Sequence, residues 1–149
     1  MKLIKYFILT VFLFFQACTS LTLKPADFSW PVESVLEVSK DGFVKEERHS
    51  LFFDTRNMFI EETEDSSAYL DREVRIIRDT KGYYFITSNN FKNVYVFEAD
   101  DGEFCLENKI LISETGISKP VFNQRPPYIE LVDGSSKHLL SIDGIKNEE

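Results

Sequence analysis

Tyr83-Tyr-Phe-Ile-Thr87, followed by Asn93-Val-Tyr-Val-Phe-Glu-Ala-Asp-Asp-Gly-Glu-Phe104, decides the fold. Both alternating sets of the first run are apolar: Tyr83 and Phe85 on one side, Tyr84 and Ile86 on the other. Val94 and Val96 oppose Tyr95 and Phe97 in the same way. Successive strand side chains point to opposite faces, so a strand apolar on both faces is buried on both. Residues 83–99 therefore belong in the middle of a packed β structure. Val74-Arg75-Ile76 and Glu130-Leu131 alternate instead, and suit outer or edge strands.

Outward from this centre, the chain is punctuated like a run of hairpins. All six glycines sit at candidate turns. Four belong to Asp-Gly pairs: Asp41-Gly42, Asp101-Gly102, Asp133-Gly134 and Asp143-Gly144. Asp-Gly is favoured in tight hairpins because both central residues there take positive φ. Segments rich in Val, Ile, Phe and Tyr between the turns predict strands at 33–39, 43–48, 50–54, 58–62, 73–79, 83–88, 93–99, 103–107, 109–113, 128–133 and 137–142. No stretch after residue 31 keeps a helical period over three turns. Glu64–Asp71 reads as one helical turn or a loop. Pro120, Pro126 and Pro127 mark 118–127 as an irregular connection.

The expected fold is all-β: a hairpin-rich antiparallel meander, sandwich or barrel. Arg72–Leu111 predicts one four-stranded antiparallel unit. The phrase Asn93–Phe104, an apolar strand running into an Asp-Gly turn, resembles a blade of a six-bladed, NHL-like β-propeller. That resemblance implies incomplete propeller-like blades as the alternative. A propeller has at least four blades of about 40–45 residues, and this domain holds about three such lengths. A compact sandwich or meander barrel fits the length better.

The other strong signal lies at the N-terminus. Lys2 and Lys5 precede an apolar run from Tyr6 to Phe15, closed by Gln16-Ala17-Cys18. A basic start, a short apolar core and a small residue before a cut are the layout of a secretory signal. The run is about ten residues, half the length of a spanning helix. Phe15-Gln16-Ala17-Cys18 resembles the lipobox of bacterial lipoproteins, with Ala17 and Cys18 in place and Phe15 and Gln16 departing from the preferred Leu and small residue. The resemblance implies cleavage before Cys18, lipidation of its thiol and acylation of its amine. More than one acyl chain gives a lasting anchor. Thr19 stands where inner-membrane lipoproteins of enteric bacteria carry Asp, which implies the outer membrane rather than the inner. The expected organisation is a signal peptide at 1–17, a lipidated cysteine and tether at 18–31, and one β domain at 32–149.

Without Lys2 and Lys5 the chain carries 15 basic and 25 acidic residues, a net charge of −10. Such a surface repels nucleic acid and anionic lipid headgroups. Basic residues form no stripe interleaved with aromatics, so a nucleic-acid partner has no support. With Cys18 lipidated, Cys105 has no partner for an internal disulfide; its place in Glu103-Phe-Cys-Leu-Glu107 predicts a buried, inert thiol.

Catalytic chemistry finds few residues. His49 and His138 each lack a second His or Cys at zinc-ligand spacing, and both read as surface strand residues. No Gly-x-Ser-x-Gly elbow occurs, and Ser135-Ser136 beside His138 reads as turn chemistry. Glu61–Asp65 and Glu98–Glu103 are acidic clusters that read as solvated turns, and the second lacks the spacing and helices of a calcium loop. No metal, cofactor or catalytic set is therefore expected. Tyr83, Tyr84, Phe91, Tyr95 and Phe97 are candidate lining for a ligand groove, or else core. Phe28 and Trp30 are candidates to pack over one end of the domain. The expectation is a lipid-anchored envelope protein, a non-enzymatic binding or accessory module for an envelope protein partner. The alternative is a binder of a small hydrophobic or sugar-like guest among those aromatics.

Overall fold

A computed structural model describes residues 32–146, so the signal, Cys18, the tether, Phe28 and Trp30 lie outside the described residues. Among the described residues, eleven strands and one short helix follow in order: β1 (Ser34–Glu37), β2 (Phe43–Glu46), β3 (Leu51–Asp54), α1 (Arg56–Thr63), β4 (Glu73–Arg78), β5 (Tyr84–Thr87), β6 (Asn93–Asp100), β7 (Glu103–Leu111), β8 (Pro120–Arg125), β9 (Tyr128–Asp133), β10 (Ser136–Ser141) and β11 (Gly144–Lys146). All pairings are antiparallel. One sheet has the order β1-β4-β5-β6-β7, a second β11-β10-β9-β8, and β2-β3 form a hairpin. The fold is all-β, and none of these sheets closes into a barrel.

The five-stranded sheet is the middle layer, as the doubly apolar runs require. Val74, Ile76, Tyr84, Ile86 and Tyr95 pack on one face against Val44 and Phe53 of the hairpin and Met58 and Phe59 of α1. Ile77, Phe85, Val94, Val96 and Ile110 pack on the other face against Phe122, Ile129, Leu131 and Leu140 of the four-stranded sheet. All four residues of β5 are buried. The predicted unit over Arg72–Leu111 is the consecutive meander β4-β5-β6-β7.

Turn chemistry sets the hairpins. Asp101 (φ 44°) and Gly102 (φ 85°) are the two central residues between paired Asp100 and Glu103, both with positive φ, the pattern of a type I′ turn. The other Asp-Gly pairs are offset. Asp133 pairs with Ser136, so Gly134 (φ 60°) opens that turn. Ser141 pairs with Gly144, so the last glycine already belongs to β11.

Several expectations are corrected. Residues 58–62 are helix, not strand. α1 is two turns long, buries Met58 and Phe59, and ends where Glu64 (φ 60°) donates its N–H to the Ile60 carbonyl. The span 118–127 is not irregular, since β8 occupies most of it. Pro120 is its first residue on an edge strand, where a missing N–H breaks no ladder. Pro126 and Pro127 form the turn into β9. The strands predicted at 103–107 and 109–113 are one strand, β7, with a bulge that leaves Glu107 unpaired between Leu106 and Asn108. β4 is not an edge strand, because β1 pairs along it. Glu64–Asp71 is a loop, the second of the two readings offered for it, with turns over 66–71.

Candidate functional site

The β2-β3 hairpin alternates strictly, and its two faces do different things. Val44 pairs with Phe53 and Glu46 with Leu51 on the face toward the core. Phe43 pairs with Asp54 and Lys45 with Phe52 on the face toward solvent. Phe52 is 69% exposed, against 9% for its neighbour Phe53. A phenylalanine left in water forgoes most of the ~2 kcal/mol its burial would contribute.

The exposed ring is ordered by its neighbours. Phe52 stacks on Phe43 with centroids 5.0 Å apart and planes 2° from parallel. The Arg56 guanidinium lies 5.5 Å from the Phe43 centroid. Asp54 holds that guanidinium, with Arg56 Nε donating to Oδ1 and Oδ2 at 3.0 Å and an η nitrogen donating to Oδ2 at 2.6 Å. The hydrogen bond from Arg56 holds the Asp54 carboxyl below the usual carboxylate range. An exposed ion pair contributes little stability, so its main effect here is positional. Gly42 permits the arrangement. A Cβ on it would sit 2.7 Å from Arg56 Cδ, and its φ is +83°.

Two clefts flank Phe52. One, of about 510 Å³, lies against Val38, Phe43 and Val44. The other, of about 310 Å³, lies between β3 and the β6-β7 turn, with Leu51, Phe52, Phe53 and Phe104 beside Asp101 and Glu103.

Beneath the hairpin, Glu46 is 3% exposed. Its carboxylate accepts the Ser34 hydroxyl at 2.9 Å and the His49 N–H at 2.6 Å. The His49 ring meets Tyr84 edge-on. Burial lowers the His49 pKa; Glu46 opposes the shift, and Arg78 and Arg48 add to it. Arg78 lies over the same Tyr84 ring, and its Nε is buried without a hydrogen-bond partner among the described residues. Both Glu46 oxygens are engaged, so the group closes the β2-β3 turn.

The aromatic residues read as a groove do not converge on one. Tyr84 is 5% and Tyr95 1% exposed. Tyr84 and Phe97 both pack on Phe104, while Phe91 lies between Phe59 and Tyr95. Tyr83 packs against the opposite core. Tyr95 donates its hydroxyl to Glu62 at 3.0 Å; burial first and Glu62 second push its pKa upward. Cys105 is exposed on β7, not buried, because its side chain lies at the sheet edge.

His49 sits in the turn between β2 and β3 rather than in a strand, and His138 lies in β10. The two are on opposite sides of the middle sheet and form no pair. Ser118 donates its hydroxyl to Asp133 at 2.8 Å, and the N–H groups of Ser118 and Lys119 point to the same carboxylate. A catalytic triad needs the histidine between the serine and the acid; here the serine meets the acid directly. Among the described residues, no three His, Cys, Asp or Glu side chains are placed to hold a metal ion. No described helix is long and apolar enough to cross a membrane.

The outward stack was missed in the sequence because Leu51-Phe52-Phe53 is an unbroken apolar run. The only available signal was the pairing of Phe52 with Lys45 across the hairpin, which requires the register. No protein-family profile matches the chain, no curated protein matches its sequence, and no solved structure matches its fold.

Proposed function

We propose that this chain is a lipid-anchored protein of the bacterial cell envelope, held at the outer membrane through Cys18, and that it acts as a non-enzymatic binding or accessory module for an envelope protein. The anchor rests on the Lys2–Cys18 signal and lipobox resemblance. The docking role rests on one observation: Phe52, exposed and ordered by the Phe43–Arg56–Asp54 stack. Exposed apolar surface held in a fixed geometry marks contact sites. A small-molecule role through Tyr83, Tyr84, Tyr95 and Phe97 draws no such support, because Tyr84 and Tyr95 are core.

Two measurements test the proposal. Intact mass from a bacterial host should give a form beginning at Cys18 with added acyl mass, lost in Cys18→Ala. An unlipidated or uncleaved chain defeats the anchor. A photo-reactive residue at position 52 should give a discrete envelope-protein adduct in cells, and one at Lys137 on the far sheet should not. Equal adducts at both positions defeat the docking surface.

A further inference from the structure

The smaller cleft beside Phe52 has an apolar floor and an acidic rim. Leu51, Phe52, Phe53 and Phe104 line it, with the Phe53 and Phe104 rings in contact at 5.0 Å between centroids, and Asp101 and Glu103 beside them. Phe52 stacks on Phe43 through one ring face, and no other described ring stacks on it.

The rim belongs to an unusually one-signed segment. Between Lys92 and Lys109 the chain has no Lys or Arg, yet carries Glu98, Asp100, Asp101, Glu103 and Glu107. None of these five carboxylates forms an ion pair among the described residues. No three of the five acids converge to hold a metal ion. The charge is strung along a hairpin, which suits cations spaced along an extended chain.

We propose that this cleft takes a lysine or arginine side chain from a basic segment of a partner protein, its aliphatic stem against Phe104 and its cation over Phe52 and beside Asp101 and Glu103. An aromatic face and unpaired carboxylates attract the same group by different means, the ring quadrupole and plain charge. A long basic side chain also matches an apolar floor with a polar mouth, because its stem is apolar. This inference names the partner chemistry for the docking surface proposed above, and rests on it.

The test titrates the 15N-labelled full chain, in zwitterionic detergent, with three synthetic peptides: Lys-Phe-Lys-Phe-Lys, Ser-Phe-Ser-Phe-Ser and Glu-Phe-Glu-Phe-Glu. The basic peptide should shift the amides of Phe52, Gly102 and Phe104 and bind about tenfold tighter than the acidic one. Raising ionic strength to about 0.3 M should weaken it about threefold. The double variant Asp101→Asn, Glu103→Gln should lose about tenfold for the basic peptide; Asn tolerates the positive φ at 101, so the turn survives. Equal binding of the basic and serine peptides at Phe52 overturns the cationic partner and leaves the docking surface standing. No shift at the cleft, or shifts confined to another surface, overturns the inference; the adduct at position 52 judges the docking surface separately.

Discussion

Glu62 Oε1 accepts the Tyr95 hydroxyl at 3.0 Å and so ties α1 to β6 of the five-stranded sheet. The same carboxylate accepts the Lys92 N–H at 2.6 Å and Asn93 Nδ2 at 2.8 Å. Removing it strands three donors at once. Glu62→Ala should lose about 2–3 kcal/mol in denaturant unfolding, and Tyr95→Phe about 1 kcal/mol. A Glu62→Ala loss below about 0.5 kcal/mol would show that α1 is not held this way.

Gly42→Ala should destabilise by about 1–2 kcal/mol, because it forces a side chain into positive φ and into the Arg56 stem. Arg56→Ala in the same chain should restore part of the loss, since the collision disappears while the backbone strain stays. No recovery in the double variant would mean that strain alone sets the effect.

Phe52 and Phe53 should behave oppositely. Phe52→Ala should leave stability within about 0.5 kcal/mol, and Phe53→Ala should lose about 3–4 kcal/mol. Thermal or urea unfolding of both variants reads the contrast. A large loss for Phe52→Ala would place it in the core and remove the docking surface.

Acid should weaken the fold in two stages. Burial lowers the His49 pKa below 6.5, so the native state favours the neutral ring. Its contribution is full above the unfolded value and is lost as pH falls through the lower folded value. Asp133 titrates lower still. Burial raises its pKa, but hydrogen bonds from Lys119 and Ser118 outweigh that and leave it below 3.8. Unfolding free energy measured across pH should therefore fall from about pH 6.5 downward, and again below about pH 4. His49→Gln should flatten the first decline and spare the second. An unchanged first decline would assign it to another group.

The middle layer was legible because its signal is local: Tyr83–Thr87 and Asn93–Phe97 carry apolar residues on both faces in the sequence itself. The helix was not, since Met58-Phe59-Ile60 is too short to separate a period of two from one of 3.6, and α1 is fixed by partners such as Asn93 and Tyr95 thirty residues away. β8 was hidden by Pro120, a residue that excludes central strands but not the start of an edge strand. The Phe52 face was hidden for a third reason. Glu46 points inward and Phe52 outward, an inversion that polarity alone reads backwards.

Translation delivers this chain from its N-terminal end. Once Leu111 has emerged, the five-stranded sheet has all its strands, yet Ile77, Phe85, Val94, Val96 and Ile110 have nothing to rest on. Their cover is made last, by Pro120–Lys146. A chain ending before Pro120 should expose that apolar face and self-associate, which size-exclusion chromatography of a chain truncated after Leu111 would read. The final strands thus shield from water a sheet face that the first seven strands leave open.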